Sequence, residues 1–229
     1  QRQAEGRERN DFQIKEKKTD METIRFPKDF LFGTATSAAQ LEGAAREEGK
    51  GLSIWDTFAR IPGNIADGST PENACDLYHR YEEDLDLAQR MNLNSFRFSF
   101  SWPRILPEGK GKVNQKGLDY YKRFIDGLWK RNMIPNATIY HWDLPCELER
   151  LGGWLNRDVA DWFGEYASLL YREFGDAVPM WATVNEPIAT YVGYALGGFA
   201  PGFRLEKYGR QANHHILLAH GEAIRRFRQ

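Results

Sequence analysis

Four times in succession a short apolar run is followed by a stretch with helical periodicity, and this alternation most limits what the chain can fold into. Phe30–Ala35, Ser95–Ser99, Pro135–Tyr140 and Met180–Asn185 have the length and the apolar or aromatic content of strands. After the first run and a long polar, Gly-rich connection, Leu77, Tyr81, Leu85 and Ala88 recur at helical spacing. Asn114 is placed to cap a helix whose inner face is Leu118, Tyr121, Ile125 and Leu128. Asn156 is placed to cap one presenting Val159, Trp162, Tyr166 and Leu169, and Ala212, Ile216, Ala219 and Ala223 line a last helix that runs to the chain end. Strands joined by helical crossovers pair in parallel, so the expected class is α/β. Four units do not close a (β/α)8 barrel alone. A four-stranded doubly wound sheet would carry a phosphate-binding glycine turn after its first strand; Thr34–Gln40 has no such pattern, and no P-loop occurs anywhere.

Composition narrows the function classes. With 31 Lys and Arg against 32 Asp and Glu the net charge is −1, without the basic excess of a nucleic-acid protein. No apolar run reaches membrane-spanning length, so no membrane partner is expected. Cys75 and Cys146 lie far apart and lack metal-type spacing, which favours a reducing, cytoplasmic setting over a disulfide scaffold. Residues 1–25 read as a polar, charged tail or leader with a helical turn around Phe12–Lys18, and lack a signal peptide's apolar segment; residues 26–229 carry the fold. Seven Trp, ten Tyr and fourteen Phe fit either an aromatic-filled core or a cleft for flat, sugar-like faces.

The conspicuous polar residues gather just past the carboxyl ends of the strands. Gln40 and Glu42 follow the first, Ser101, Trp102 and Arg104 the second, His141, Trp142 and Asp143 the third, and Asn185 and Glu186 the fourth. In a barrel these ends share one face, where loops build the active site. Asn185 and Glu186 are adjacent, so regular alternation does not point both inward, and the strand is expected to bend there.

Five segments then carry a resemblance. Phe32-Gly-Thr-Ala-Thr-Ser-Ala-Ala-Gln-Leu-Glu-Gly43, Phe96-Arg-Phe-Ser-Phe-Ser-Trp-Pro-Arg104, Tyr140-His-Trp-Asp-Leu-Pro145, Gly152-Gly-Trp-Leu-Asn-Arg157 and Thr183-Val-Asn-Glu-Pro187 together resemble family 1 glycoside hydrolases, the β-glucosidase-like retaining enzymes. The resemblance spans Phe26 to Gln229 and implies a (β/α)8 TIM barrel of which this chain holds the first four βα units, a half-barrel. It implies that Glu186 is the acid/base and that Asn185 binds the sugar 2-hydroxyl. Gln40 and His141 match hydroxyl-binding positions, Trp142 a pocket-wall aromatic, and Arg97 the arginine that orients the nucleophile. Read alone, Arg97 could instead neutralise Glu186 or Asp143, and Trp142 and Trp102 could be core. The implied chemistry needs no cofactor or metal; His214, His215 and His220 share a helix with no carboxylate in register.

The sequence departs from the family pattern in two ways. Ala39 stands where the family usually has Tyr, and no Thr-Glu-Asn-Gly segment supplies a nucleophile. The expected substrate of the complete barrel is a β-glycoside, and the expected partner is the C-terminal half-barrel or a second copy of this chain. Without one of these, the expectation is an inactive or nearly inactive fragment; the alternative is a non-catalytic scaffold with at most weak sugar binding. Pro187 and the strand bearing Trp181 are expected to shield Glu186, favouring its protonated form. Inward-facing residues around Phe30, Phe32, Trp181 and Thr183 on the edge strands are expected to leave an apolar face open.

Overall fold

The computed structural model describes residues 23–229, so the tail's expected helical turn around Phe12–Lys18 lies outside the described residues. The chain divides into a unit ending at Phe30 and a second spanning Leu31–Gln229. In the first, the Phe26 and Phe30 rings lie 4.6 Å apart and the Phe30 amide donates to Pro27 O.

The second unit is a parallel sheet with helices. Its strands are β1 (Gly33–Ala35), β2 (Ser95–Ser99), β3 (Ile134–Tyr140) and β4 (Met180–Val184), hydrogen-bonded in the order β1-β2-β3-β4. The long helices between and after them are α1 (Leu77–Arg90), α2 (Gln115–Lys130), α3 (Val159–Phe174) and α4 (Glu206–Phe227). The expected α/β order is therefore observed, with β1 three residues shorter than expected. Asn114 is the residue preceding α2, but its side-chain amide donates to Glu48 O and Arg104 O instead of capping the helix. Asn156 does not cap α3. Asp158 holds that position, and Asn156 Oδ1 accepts from the Asp158 amide two residues on, an Asx turn leading into the helix.

Alternation along the strands sorts the sheet into two faces. Phe96 and Phe98 of β2 pack on Phe124 of α2 at 5.9 and 5.2 Å, and the core between sheet and helices continues through Leu118, Ile125, Tyr166 and Leu170. The opposite face begins with Arg97 and, by the two-residue period, includes Ser95 and Ser99. Trp181 and Thr183 correct the expected inward set. The Trp181 ring stacks on Phe100 and meets Tyr171 of α3 edge-on, and Thr183 Oγ1 bonds His220 Nδ1 of α4 at 2.6 Å. Both belong to the helix layer. The inner-facing positions of β4 are instead Met180, Ala182 and Val184.

Candidate active site

Each strand's carboxyl end leads into a tight local structure. After β1 the chain turns at Thr36, whose amide donates to Arg97 O at 2.8 Å, and the Ala38 amide donates to Ser99 Oγ at 2.7 Å. These bonds tie the first loop to β2 and place Gln40 as the exposed residue of the short helix Ala38–Leu41. Ser37 Oγ donates to Gln40 Oε1, leaving the Gln40 amide nitrogen as the group that can meet a ligand.

Two residues on, Glu42 turns inward and is buried. It pairs with Arg104 Nε at 2.8 Å and accepts from the Tyr121 hydroxyl, while Arg104 lies 4.1 Å over the Tyr78 ring. Glu42, Arg104 and Trp102 are therefore framework. Trp102 is fully buried, stacks on Tyr166 at 4.9 Å and donates Nε1 to Gly109 O. Gly43 closes this loop at φ 66°, where an added Cβ would sit 2.2 Å from Asn73 O.

The centre of the site is the Arg97 guanidinium on the sheet's inner face. Its Nε donates to Thr138 Oγ1 at 3.0 Å and its Nη2 to Asn185 Oδ1 at 2.7 Å. Among the described residues it forms no ion pair with Glu186 or Asp143, which removes the neutralising alternative. Asn185 is held on two further sides, by its amide donating to Tyr140 O at 3.0 Å and by its carbonyl accepting from Trp142 Nε1 at 3.1 Å. Arg97, Asn185 and Trp142 are thus brought together.

His141 is 8% exposed, and its Nδ1 has no hydrogen-bond partner among the described residues. Burial, helped by the Arg97 charge, lowers its pKa to about 4, so the ring is neutral at physiological pH. A neutral imidazole offers one donor and one acceptor, the property needed to read a hydroxyl. Next to it Trp142 adopts φ 75°, and its ring lies 6.3 Å from Trp55 and 5.3 Å from Phe199. These three half-buried rings form an aromatic wall that the sequence reading identified only at Trp142. Trp55 and Phe199 lie far from it in sequence and look like ordinary core residues there.

Asp143 ends this segment fully enclosed. Neither of its carboxyl oxygens is reached by a hydrogen bond of ordinary geometry among the described residues, and burial, opposed by the neighbouring Ser101 hydroxyl and the Lys50 charge, pushes its pKa up to about 8. Lys50 itself pairs with Asp56 at 3.3 Å. Two ion pairs therefore leave Asp143 as the unpaired fifth charge, and holding its proton removes that charge.

The expected bend at Asn185-Glu186 is present: β4 stops at Val184 and Glu186 takes φ 43°, ψ 75°, directly before the short helix Pro187–Tyr191. The expected shielding of Glu186 is not. Glu186 is exposed, because among the described residues β4 has a neighbour on one side only and the Trp181 ring lies on the opposite face against Phe100. Glu186 and Trp142 are two of eight non-glycine residues at positive φ among the described residues, a backbone state that costs roughly 1–2 kcal/mol at each.

Of the three histidines of α4, His215 Nδ1 bonds Trp154 O, His220 Nδ1 bonds Thr183 Oγ1, and His214 is exposed. No group of three or more His, Cys, Asp or Glu side chains is placed to hold a metal among the described residues.

Comparison with known proteins supplies the context of this geometry. The sequence profile described as Glycosyl hydrolase family 1 matches residues 22–229. Beta-glucosidase A of Acetivibrio thermocellus is 51% identical over 210 residues, covering 91% of this chain and 47% of that protein. Beta-glucosidase A of Thermotoga maritima is 48% identical, with the same coverage of 91% and 47%. A structure of the beta-glucosidase from Thermotoga maritima in complex with deoxynojirimycin superposes with a TM-score of 0.87 at 48% identity, covering 89% of this chain and 46% of that one. The chain spans about half the length of the curated relatives it matches, and its four parallel βα units correspond to half of a (β/α)8 barrel.

Proposed function

Because the chain belongs to glycosyl hydrolase family 1, we propose that it supplies the acid/base and one side of the sugar pocket of a retaining β-glycosidase. The observation that carries this reading is Asn185-Glu186 at the carboxyl end of β4, with Asn185 locked by Arg97 and Trp142 and Glu186 left free to face a ligand. In this mechanism Glu186 protonates the departing glycosidic oxygen, then as carboxylate takes a proton from the water that releases the sugar. A retaining enzyme needs a second carboxyl group about 5–5.5 Å away to attack the anomeric carbon. This sequence has no Thr-Glu-Asn-Gly segment to provide it, so the nucleophile comes from a complementary half-barrel. Gln40 and neutral His141 bind sugar hydroxyls, Asn185 binds the 2-hydroxyl, and Trp142 forms a wall against the ring's apolar face.

The chain alone then has at most trace activity, and its working partner is the C-terminal half of a family 1 barrel. The test is hydrolysis of a chromogenic β-glucoside by this chain alone and mixed with the C-terminal half of a related beta-glucosidase. Activity only in the mixture, with retained anomeric configuration, is expected. Full activity of the chain alone, lost on Glu186→Gln, would point to a substitute nucleophile. A folded mixture without activity would favour the scaffold reading.

A further inference from the structure

The geometry points to Thr138 as a positioning residue of the pocket: it holds the Arg97 guanidinium so that Asn185 turns its amide N–H groups, not its oxygen, toward the ligand. This inference rests on the reading of Asn185 as a sugar contact.

Thr138 lies on β3, opposite Ser99 and diagonal to Arg97, and is fully buried. Its backbone carbonyl already serves the sheet by accepting from the Phe100 amide at 2.9 Å. The side-chain hydroxyl is therefore a separate device, and it accepts from Arg97 Nε at 3.0 Å. A guanidinium is a rigid planar fork, so fixing Nε fixes the direction of Nη2. That nitrogen meets Asn185 Oδ1 at 2.7 Å.

The consequence falls on Asn185. Its side chain has one acceptor oxygen and one NH2, and the two are exchanged by a half-turn of the amide. With a permanent cation against Oδ1, the turned amide would set N–H against N–H, so one orientation is held. The pocket then meets donors at Asn185, and the ligand atom opposite must accept: a hydroxyl oxygen, or an oxygen gaining negative charge as the reaction proceeds. The same guanidinium lowers the His141 pKa, so holding Arg97 in place acts on two sugar contacts at once. Valine would fill the strand position equally well but would leave the half-buried Arg97 Nε–H without this acceptor.

The test uses the 15N-labelled chain and reads two side-chain signals, Arg97 Nε–H and the Asn185 NH2 pair. Thr138→Ser keeps the hydroxyl and is expected to leave both unchanged. Thr138→Val is expected to speed hydrogen exchange at Arg97 Nε–H by about tenfold or more and to shift the Asn185 pair, with backbone amides of β2 and β3 unmoved. Unchanged Arg97 and Asn185 signals in folded Thr138→Val would overturn the proposal. If Thr138→Val does not fold, Thr138→Ala and Arg97→Lys decide: both should move the Asn185 pair, and an unmoved pair in either refutes the coupling. Titration with methyl β-glucoside separates the two levels. A shift of the Asn185 pair supports the sugar reading; its absence, with the mutant pattern intact, sinks that reading while the Thr138–Arg97–Asn185 geometry stands.

Discussion

At the carboxyl end of β3 the chain reads His141-Trp142-Asp143, and at that of β4 it reads Asn185-Glu186-Pro187; each segment breaks its strand with one left-handed residue, Trp142 at φ 75° and Glu186 at φ 43°. The local device is shared, but the surroundings are not. β3 has β2 on one side and β4 on the other, so His141 and Asp143 are 8% and 1% exposed. β4 is paired on one side only among the described residues, and Glu186 stands in the open. Burial at a strand end is thus set by its place in the sheet and not by the polarity of its sequence. The enclosure of His141 and Asp143 is completed by these four strands, whereas the environment of Glu186, the proposed proton donor, depends on whatever covers β4.

The sharpest way to break this contrast is Glu186→Ala. In the reconstituted barrel, hydrolysis of glycosides with poor leaving groups should fall by about 10²–10⁴-fold, with a smaller loss for activated aryl glycosides and recovery on adding azide. Stability of the isolated chain should change by no more than about 0.5 kcal/mol, since an exposed side chain is removed. A large loss of stability in urea would mean that Glu186 is framework like Glu42, and the division between the two strand ends would fail.

On the buried side the expected effect is on folding. Arg104→Met leaves Glu42 enclosed with only the Tyr121 hydroxyl beside it, and breaking a buried pair in this way costs about 3–5 kcal/mol. The exposed pair Arg210–Glu206 on α4 is the internal control, and Arg210→Met should cost under about 1 kcal/mol. Urea denaturation of the two variants measures the difference directly, and equal losses would refute it.

Asp143→Asn tests the same region with opposite sign. The folded carboxyl keeps its proton to about pH 8, while in the unfolded chain it ionises near its ordinary value of 3.8. Between those values the folded state binds more protons, so this group's contribution is full below pH 3.8 and is lost as pH rises toward 8. Asparagine does not titrate, so the variant should gain on the parent through that window, reaching about 2 kcal/mol or more at pH 9. A difference in melting temperature that stays flat from pH 5 to pH 9 would show that Asp143 has a partner.

These contrasts were unequally legible in the sequence. The helix faces were readable because a 3.6-residue period is local: Leu118, Tyr121, Ile125 and Leu128 are all buried as their spacing requires. The polar residues past the strand ends were readable because a local apolar run marks where each strand stops, and Trp142 and Asn185 do meet, whereas Arg97, in mid-strand, was marked only by the resemblance. What was hidden depends on contacts distant in sequence. Thr138 looks like any β-favouring residue until Arg97 is laid beside it, 41 positions away. Asp143 has the profile of a site residue and is framework because it is buried beside Ser101, Lys50 and Glu42, which are distant from it in sequence. Trp181 was assigned to the inner face because the alternation alone does not say which face of a strand the helices cover.

The smallest effect separates the two causes acting on His141. Its folded pKa of about 4 lies below the ordinary value of 6.5, so its contribution to stability is complete above pH 6.5 and is lost as pH falls through 4. Burial is the larger cause and the Arg97 charge the smaller. Arg97→Met removes the charge and leaves the β2–β4 enclosure, so the His141 midpoint, followed by NMR of the ring protons, should rise by less than about one unit and stay below 6.5. A rise to the ordinary histidine value would mean that the charge, not enclosure by neighbouring strands, keeps the ring neutral. The strand end of β3 would then owe its chemistry to one side chain, and its contrast with β4 would rest on Arg97 instead of on sheet position.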